Sequence, residues 1–262
     1  MELRPIGEVR SPVRDRKQMP SLGARASVEL FAGFADGLLR FEKHSHIWVM
    51  AWLDGAERDV LQVIPRGCRD RGASGLHGVF AVRSPARPNP IGLTATRVLG
   101  VEGTRIECER LDFQDGTPVL DIKPYFLSRD MIFSAANTAV GRPASAEALR
   151  ESLIMQAENY HGELCEGLAL AVRIVEDYRR RYHDLAEPER WAVEAPAGHP
   201  CVIDSLIGMT RASLGRRTLR LTDRPAVGLC GIVYELAARW PAGFEGILAA
   251  PAGDLYRQQP PL

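Results

Sequence analysis

The sequence predicts two domains, a mostly-β closed barrel over residues 1–135 and an α+β domain over residues 146–262. Three observations carry this expectation. The first half consists of short extended stretches rich in β-branched and aromatic residues, cut by glycine and proline. The second half changes to the spacing of amphipathic helices. Between them, Ser128 to Ser145 (SRDMIFSAANTAVGRPAS) is small and polar and reads as a linker.

In chain order, residues 26–31, 46–53, 78–82, 93–99, 105–110 and 119–122 are strand-like. Many short strands with turn signals between them suggest closure into a barrel. Residues 33–41 and 57–63 are the helical candidates of this half. In the second half, Leu168, Ala171, Val172, Val175, Tyr178 and Tyr182 recur at helical spacing within residues 166–186, with Arg179, Arg180 and Arg181 around the rest. Ser145 or Asn159 is a candidate N-cap for a preceding helix. Residues 202–214 read as another helix, and residues 218–221 and 226–234 as strands.

Composition excludes several classes. The 262 residues are 45% apolar and 25% charged, which suits a globular chain. The longest apolar run, Ile47 to Leu53, has seven residues, far fewer than the roughly 20 of a membrane helix. The opening MELRPIGEVR lacks the apolar stretch of a secretory leader. Five scattered cysteines (Cys68, Cys108, Cys165, Cys201 and Cys230) argue against a disulfide framework. A cytoplasmic protein with free thiols is expected. Basic and acidic residues balance at 33 each, so neither half is a strongly basic nucleic-acid binder, although a local footprint stays open.

Two loops of the first half carry chemistry. In Ala81-Val-Arg-Ser-Pro-Ala-Arg-Pro-Asn-Pro-Ile-Gly-Leu93, closely spaced prolines stiffen the backbone and hold Arg83, Arg87 and Asn89 in set directions. A planar guanidinium suits a carboxylate or phosphate, so this is either a binding loop or a rigid connector. In Leu111-Asp-Phe-Gln-Asp-Gly-Thr-Pro-Val-Leu-Asp-Ile-Lys-Pro-Tyr125, Asp115-Gly116 marks a turn. Asp112, Asp121 and Lys123 are charges within or beside apolar strands; Asp121 and Lys123 share a face and could equally be an exposed pair. His44 and His46, and Trp48 and Trp52, share strand parity, and the tryptophans are expected in the core. Arg66, Arg69 and Arg71 lie in a glycine-rich loop, as solvated charge or as phosphate contacts.

In the second half, His161 and Cys165 are four residues apart and Cys201 and Asp204 three apart, so each pair would share a helix face. Such a set suits a borderline metal such as zinc, the alternative being thiols that fill the core.

The segments PIGEVRSP, DGLLRFEKHSHIWVMAWL, GVFAVRSPARPNPIGL and LDFQDGTPVLDIKPY, in this order over residues 3–128, resemble the TsaA-like (TrmO) family. The resemblance implies a small barrel that binds S-adenosylmethionine, usually as a homodimer, and N6-methylation of threonylcarbamoyl-adenosine in tRNA. It places Arg83 and Leu93 at the cofactor, with Asp112, Phe113, Gln114 and Asp115 beside them. Asn89, Asp121 and Lys123 are the catalytic candidates. Pro20-Ser21-Leu22 and Asp54 depart from the family pattern, which usually has a basic residue with an amide and a histidine at these places. From about residue 150 to 230, the His-Gly-x-x-Cys-x-Gly segment and the later Cys-x-x-Asp segment resemble the FmdE family. That resemblance implies a groove containing His161, Cys165, Cys201 and Asp204. The leading expectation is an S-adenosylmethionine-dependent methyltransferase acting on tRNA. The alternatives are methylation of a small molecule or metal-linked metabolite handled by the second domain, and a non-catalytic sensor of S-adenosylmethionine or metal.

Overall fold

The computed structural model describes residues 2–135 and 137–259 and divides into two compact units, residues 1–135 and 136–262. The first unit contains β1 (Gly7–Arg10), β2 (Ala24–Leu30), β3 (His46–Trp52), β4 (Gln62–Val63), β5 (His77–Gly78), β6 (Ile91–Glu102), β7 (Arg105–Leu111) and β8 (Pro118–Pro124), followed by a single helical turn, α1 (Leu127–Asp130). Six strands close an antiparallel barrel in the order β1-β2-β7-β6-β3-β8, and β4 and β5 form a separate ribbon. Closure gives each of the six strands two neighbours and removes the open edges of a flat sheet.

The two-residue period decides what fills the barrel. On β3, Ile47, Val49 and Ala51 are fully buried, while His46, Trp48, Met50 and Trp52 are half-buried on the outside. The tryptophans expected in the core are therefore on the outer face. Parity set by Ile47 sends them there, and a narrow barrel is filled by smaller side chains. Cys108 is part of the filling, and burial pushes its thiol up to about 12. At one end Phe113 plugs the barrel over Gly92, where a Cβ would stand 2.4 Å from the Phe113 ring. The helical expectation for residues 33–41 is met only by tight turns at Ala32–Leu38 and Phe41–Lys43. Residues 57–63 form no helix, and only His77–Gly78 of the neighbouring segment is strand.

Antiparallel pairing fixes where the connections lie. Ala24 of β2 pairs with Leu111 of β7, and Trp52 of β3 pairs with Ile91 of β6. Arg10 ends β1 at the same side, where β8 begins. The connections 11–23, 53–90 and 112–117 consequently gather at one end of the barrel.

The second unit is α2 (Ala146–His161), α3 (Glu166–Tyr182), β9 (Val193–Pro196), α4 (Pro200–Thr210), β10 (Leu219–Thr222), β11 (Ala226–Leu229), β12 (Ile232–Leu236), α5 (Phe244–Ala249), α6 (Ala252–Leu255) and β13 (Tyr256–Gln259). Its sheet has the order β10-β9-β11-β12-β13, with β9 and β10 parallel and joined through α4, as a parallel pair requires a crossover. Ser145 caps α2 by accepting from the Ala148 N–H at 3.2 Å, and Asn159 lies inside the helix. The helix expected to be amphipathic, α3, is buried at every position from Leu168 to Val172 and again at Ile174 to Glu176. It is the central rod of this unit rather than a surface helix. Arg179 is drawn in as well and donates to the carbonyls of Leu185 and Ala186, at 2.7 and 2.9 Å. Among the described residues no helix is long and apolar enough to cross a membrane.

One charged contact fastens α2 to α3. The carboxylate of Glu176, 3% exposed, accepts from Nε and Nη2 of Arg150 at 2.8 and 3.1 Å. Removing the guanidinium would leave the buried carboxylate with Arg180 Nη1, at 3.6 Å, as its remaining ion-pair partner. Arg150→Ala is expected to lower the unfolding free energy by about 2 kcal/mol, the scale of a hydrogen bond to a charged group, and Arg150→Ala with Glu176→Leu to recover most of it. Chemical denaturation measures both; a loss within error in the single variant contradicts this account.

Candidate functional site

At the loop end of the barrel, residues 112–115 are tied to residues 11–14. Asp115 accepts from the Ser11 N–H at 3.1 Å, and its other oxygen lies 3.7 Å from Arg14 Nε. The Gln114 amide donates to the Arg14 carbonyl at 2.6 Å, and the Asp115 N–H to the Val13 carbonyl at 2.9 Å. The side chains of Gln114 and Asp115 thus hold the loop together. Phe113 is 3% exposed with its ring in the core, which leaves only its backbone on the loop. Asp112 is exposed and accepts from the Thr94 hydroxyl of β6, next to Leu93, which is 41% exposed on the outer face. Thr94 had no signal in the sequence.

The proline-rich loop divides its polar groups in a way composition does not reveal. Arg87 donates to the carbonyls of Val79, Val82 and Ser84 at 2.9, 2.6 and 2.7 Å. It staples its own loop. Arg58 holds the same loop from outside, donating to the Pro88 carbonyl at 3.2 Å while lying over the Trp52 ring. Arg83 and Asn89 are exposed, and Arg83 has no side-chain partner among the described residues. Arg66, from the glycine-rich loop, donates to the Met19 carbonyl at 3.0 Å.

Asp121 and Lys123 form a 2.6 Å ion pair on the outside of β8. A bulge in β8 lies beside them, since Met50 pairs with Asp121 but Ala51 with Val119. Such an extra residue redirects side chains. Here Asp121 and Leu93 both become partners of Met50, so the row Leu93–Met50–Asp121 crosses three strands on the outer face. The structure therefore brings Leu93 and Asp121 into one outer row, whereas Asp112 bonds to Thr94, the partner of the core-facing Val49.

In the second unit, three helix ends converge. His161 is the last residue of α2, Cys165 is the N-cap of α3, and Cys201 is in the first turn of α4 after Pro200. His161 and Cys165 do not share a helix face as their spacing suggested. Gly162 ends α2 in the left-handed conformation, and the chain turns so that the two residues still meet. Cys165 Sγ lies 3.3 Å from His161 Nε2 and accepts from the Leu168 N–H at 3.4 Å. One ligand atom from each of His161, Cys165 and Cys201 fits within a mutual 4.8 Å. Asp204 is 3.3 Å from Nδ1, the opposite ring nitrogen of His161. Asp204 consequently stands as the partner that orients the imidazole. Glu163 is 4.0 Å from Nε2 and mostly exposed, and Glu166 accepts from the Gly243 N–H at 2.7 Å.

Gly167 is what lets α3 and α4 begin side by side, because a Cβ there would meet Cys201 Cβ at 2.6 Å. Burial raises the Cys201 thiol above its ordinary value, helped by its hydrogen bond with Cys165 and the charges of Cys165, Glu163 and Asp204. Against this, the N-terminal end of a helix favours a thiolate. Two thiols and an imidazole with a carboxylate behind it are a donor set that fits zinc.

A family model described as the tRNA-methyltransferase O N-terminal domain matches residues 8–131, and one described as FmdE, Molybdenum formylmethanofuran dehydrogenase operon, matches residues 160–232. A protein of Archaeoglobus fulgidus named "S-adenosyl-L-methionine-binding protein" is 43% identical over 129 residues, which are 48% of this chain and 89% of that protein. A longer protein of the same organism, "Probable S-adenosyl-L-methionine-binding protein", is 38% identical over 180 residues, 66% of this chain and 47% of the relative. The chain thus spans about half the length of that second relative. A crystal structure of TrmO from Pseudomonas aeruginosa has 33% sequence identity, covers 52% of this chain and 61% of its own, and gives a TM-score of 0.41. With a closed six-stranded barrel inside the matched segment and 43% identity to a relative covered over 89% of its length, the chain belongs to the TrmO family, and its second unit carries an FmdE segment.

Proposed function

We propose that the barrel binds S-adenosylmethionine at its loop end and transfers the methyl group to an acceptor amine, N6 of threonylcarbamoyl-adenosine in tRNA being the leading acceptor. The observation that carries this reading is the gathering of an exposed cation (Arg83), an exposed carboxylate (Asp112) and an aliphatic wall residue (Leu93) at one end of a rigid barrel. The names of the relatives and of the matched family support the donor and the acceptor class.

Bound S-adenosylmethionine supplies an electrophilic methyl group. What the chain adds is placement, which can account for several kcal/mol of a barrier. Asp112 accepts hydrogen bonds from the donor's ribose hydroxyls or ammonium, and Arg83 pairs with its carboxylate. As the acceptor nitrogen bonds to the methyl carbon, the carbon–sulfur bond would break and leave its electron pair on a neutral thioether, and the proton released from nitrogen would pass to Asp121. Lys123, 2.6 Å away, holds the Asp121 carboxylate in place, and Asn89 orients the amine through its paired donor and acceptor groups. Ile91, Leu93 and Leu99 are exposed apolar residues along β6, between 41% and 46% exposed, which supports a homodimer.

For the second unit we propose a zinc site held by His161 Nε2, Cys165 and Cys201, with Asp204 fixing the imidazole. Zinc bound by these residues would supply a Lewis acid.

Full-length protein incubated with S-adenosylmethionine and tRNA carrying threonylcarbamoyl-adenosine should add one methyl group per modified nucleoside by mass spectrometry. Asp121→Asn should slow this by about 100-fold with donor affinity unchanged. An unmodified nucleoside alongside a methylated small amine would move the acceptor to small molecules, and donor binding without any transfer would favour the sensor.

Elemental analysis of protein purified without an affinity tag should find one zinc per chain, absent from a folded Cys165→Ser, Cys201→Ser variant. Asp204→Asn should weaken zinc about 10–100-fold. Protein that stays metal-free after zinc incubation under reducing conditions contradicts the site.

Zinc uptake should also weaken as pH falls, because protons compete for the ligands and the Cys201 thiol is raised. The affinity should drop about tenfold per pH unit for each proton released, read by competition with a chelator. A pH-independent affinity contradicts thiolate ligation.

A further inference from the structure

We propose that the outer wall of the barrel carries a phosphate-binding site, centred on the hydroxyl of Ser27 and the guanidinium of Arg25. The strand register builds it. Ser27 of β2 is the partner of Arg10 on β1 and of Glu107 on β7, so these three side chains form one row across the outside. Ala26 and Val28 face the core on either side of Ser27, which therefore points outward. Arg25 and Glu29 stand one step away along β2, and Arg105 one step away along β7.

A serine among arginines and glutamates leaves a hollow. The result is an open cleft of about 390 Å³ whose lining includes Arg10, Arg14, Arg25, Ser27, Arg105 and Asp115. Although it faces outward, Ser27 is only 1% exposed, and its Oγ is buried with no hydrogen-bond partner among the described residues. An orphaned buried hydroxyl destabilises the fold and calls for a partner.

The charges around it say which partner. Arg10 donates from Nε to Glu29 at 2.8 Å and lies 3.2 Å from Glu8 through Nη1. Arg105 donates from Nε to Glu107 at 2.5 Å, and Arg14 Nε is 3.7 Å from Asp115. Arg25 is exposed and has no ion-pair partner among the described residues. A guanidinium has five N–H donors, so the paired arginines keep N–H groups to offer, whereas Glu107 gives one of its oxygens to Arg105. A ligand here must accept several hydrogen bonds and carry negative charge. A water molecule would satisfy Ser27 and leave Arg25 unpaired, and a cation would meet the guanidinium groups. A tetrahedral phosphate, with oxygens directed at both, fits. The same chemistry belongs to free phosphate and to the phosphodiester of an RNA strand, and the site does not depend on which methyl acceptor the barrel uses.

The test uses the full chain, with inorganic phosphate and, separately, a short unstructured RNA oligonucleotide as probes in calorimetry. Phosphate should bind the wild type, and Arg25→Gln should weaken it by about tenfold or more. Ser27→Ala should weaken it too, while raising the melting temperature in phosphate-free buffer, because the orphaned hydroxyl is gone. Unchanged S-adenosylmethionine binding serves as the control for folding. If Arg25→Gln also weakens the oligonucleotide and lowers its salt slope by about one, the phosphate belongs to a strand; if only inorganic phosphate is affected, the site takes the free ion. No phosphate binding to the wild type at millimolar concentration, or equal binding to wild type and both variants, overturns the proposal.

Discussion

Everything at the loop end of the first unit depends on the closure of the barrel through its shortest staple, β1. Only four residues long, β1 pairs with β2 on one side and β8 on the other. Without it the sheet would be open, and the segment after Arg10 would have nothing to direct it. With it, Ser11 to Arg14 passes beside residues 114 and 115, and the contacts of Gln114 and Asp115 lock two loops together. Phe113 closes the end from within. The side chains left over at that end, Arg83, Asp112 and Leu93, are the ones not needed to build it.

The second unit solves a comparable problem with helices. A histidine and two cysteines come from three helix ends, and a helix end is a place where backbone N–H or carbonyl groups lack partners. Cys165 answers one such N–H with its sulfur, and Pro200 removes another in α4. The close start of α3 and α4 then depends on Gly167 having no side chain. Polarity of the site and stability of the helices are coupled at these positions.

Much of this was legible in the sequence, and the exceptions have physical causes. The long barrel strands and the helices α3 and α4 announce themselves through their period, whereas the short α5 and α6 do not. β1 does not: Gly7–Arg10 is too short, and its role comes from both neighbours rather than from its own residues. The placement of Trp48 and Trp52 was missed because parity, not hydrophobicity, decides which face enters the barrel. Arg83 and Arg87 look equivalent in the sequence, yet one is exposed and the other is bonded to three carbonyls of its own loop. No pattern distinguishes them before the loop is folded. His161 and Cys165 were paired by helical spacing; the structure pairs them across a glycine turn, so the proximity held for a different reason. The row through Ser27 exists only by register and has no counterpart in any single stretch of chain.

The central claim is that one end of the barrel, built by closure through β1, is where S-adenosylmethionine binds. Hydrogen–deuterium exchange of the full chain with and without saturating S-adenosylmethionine tests it most directly. The account predicts added protection in the connections 11–23, 53–90 and 112–117 and at the start of β6, with residues 31–45 and 103–104 at the opposite end unchanged. Protection confined to the opposite end or to the second unit, or no change on saturation, would contradict it.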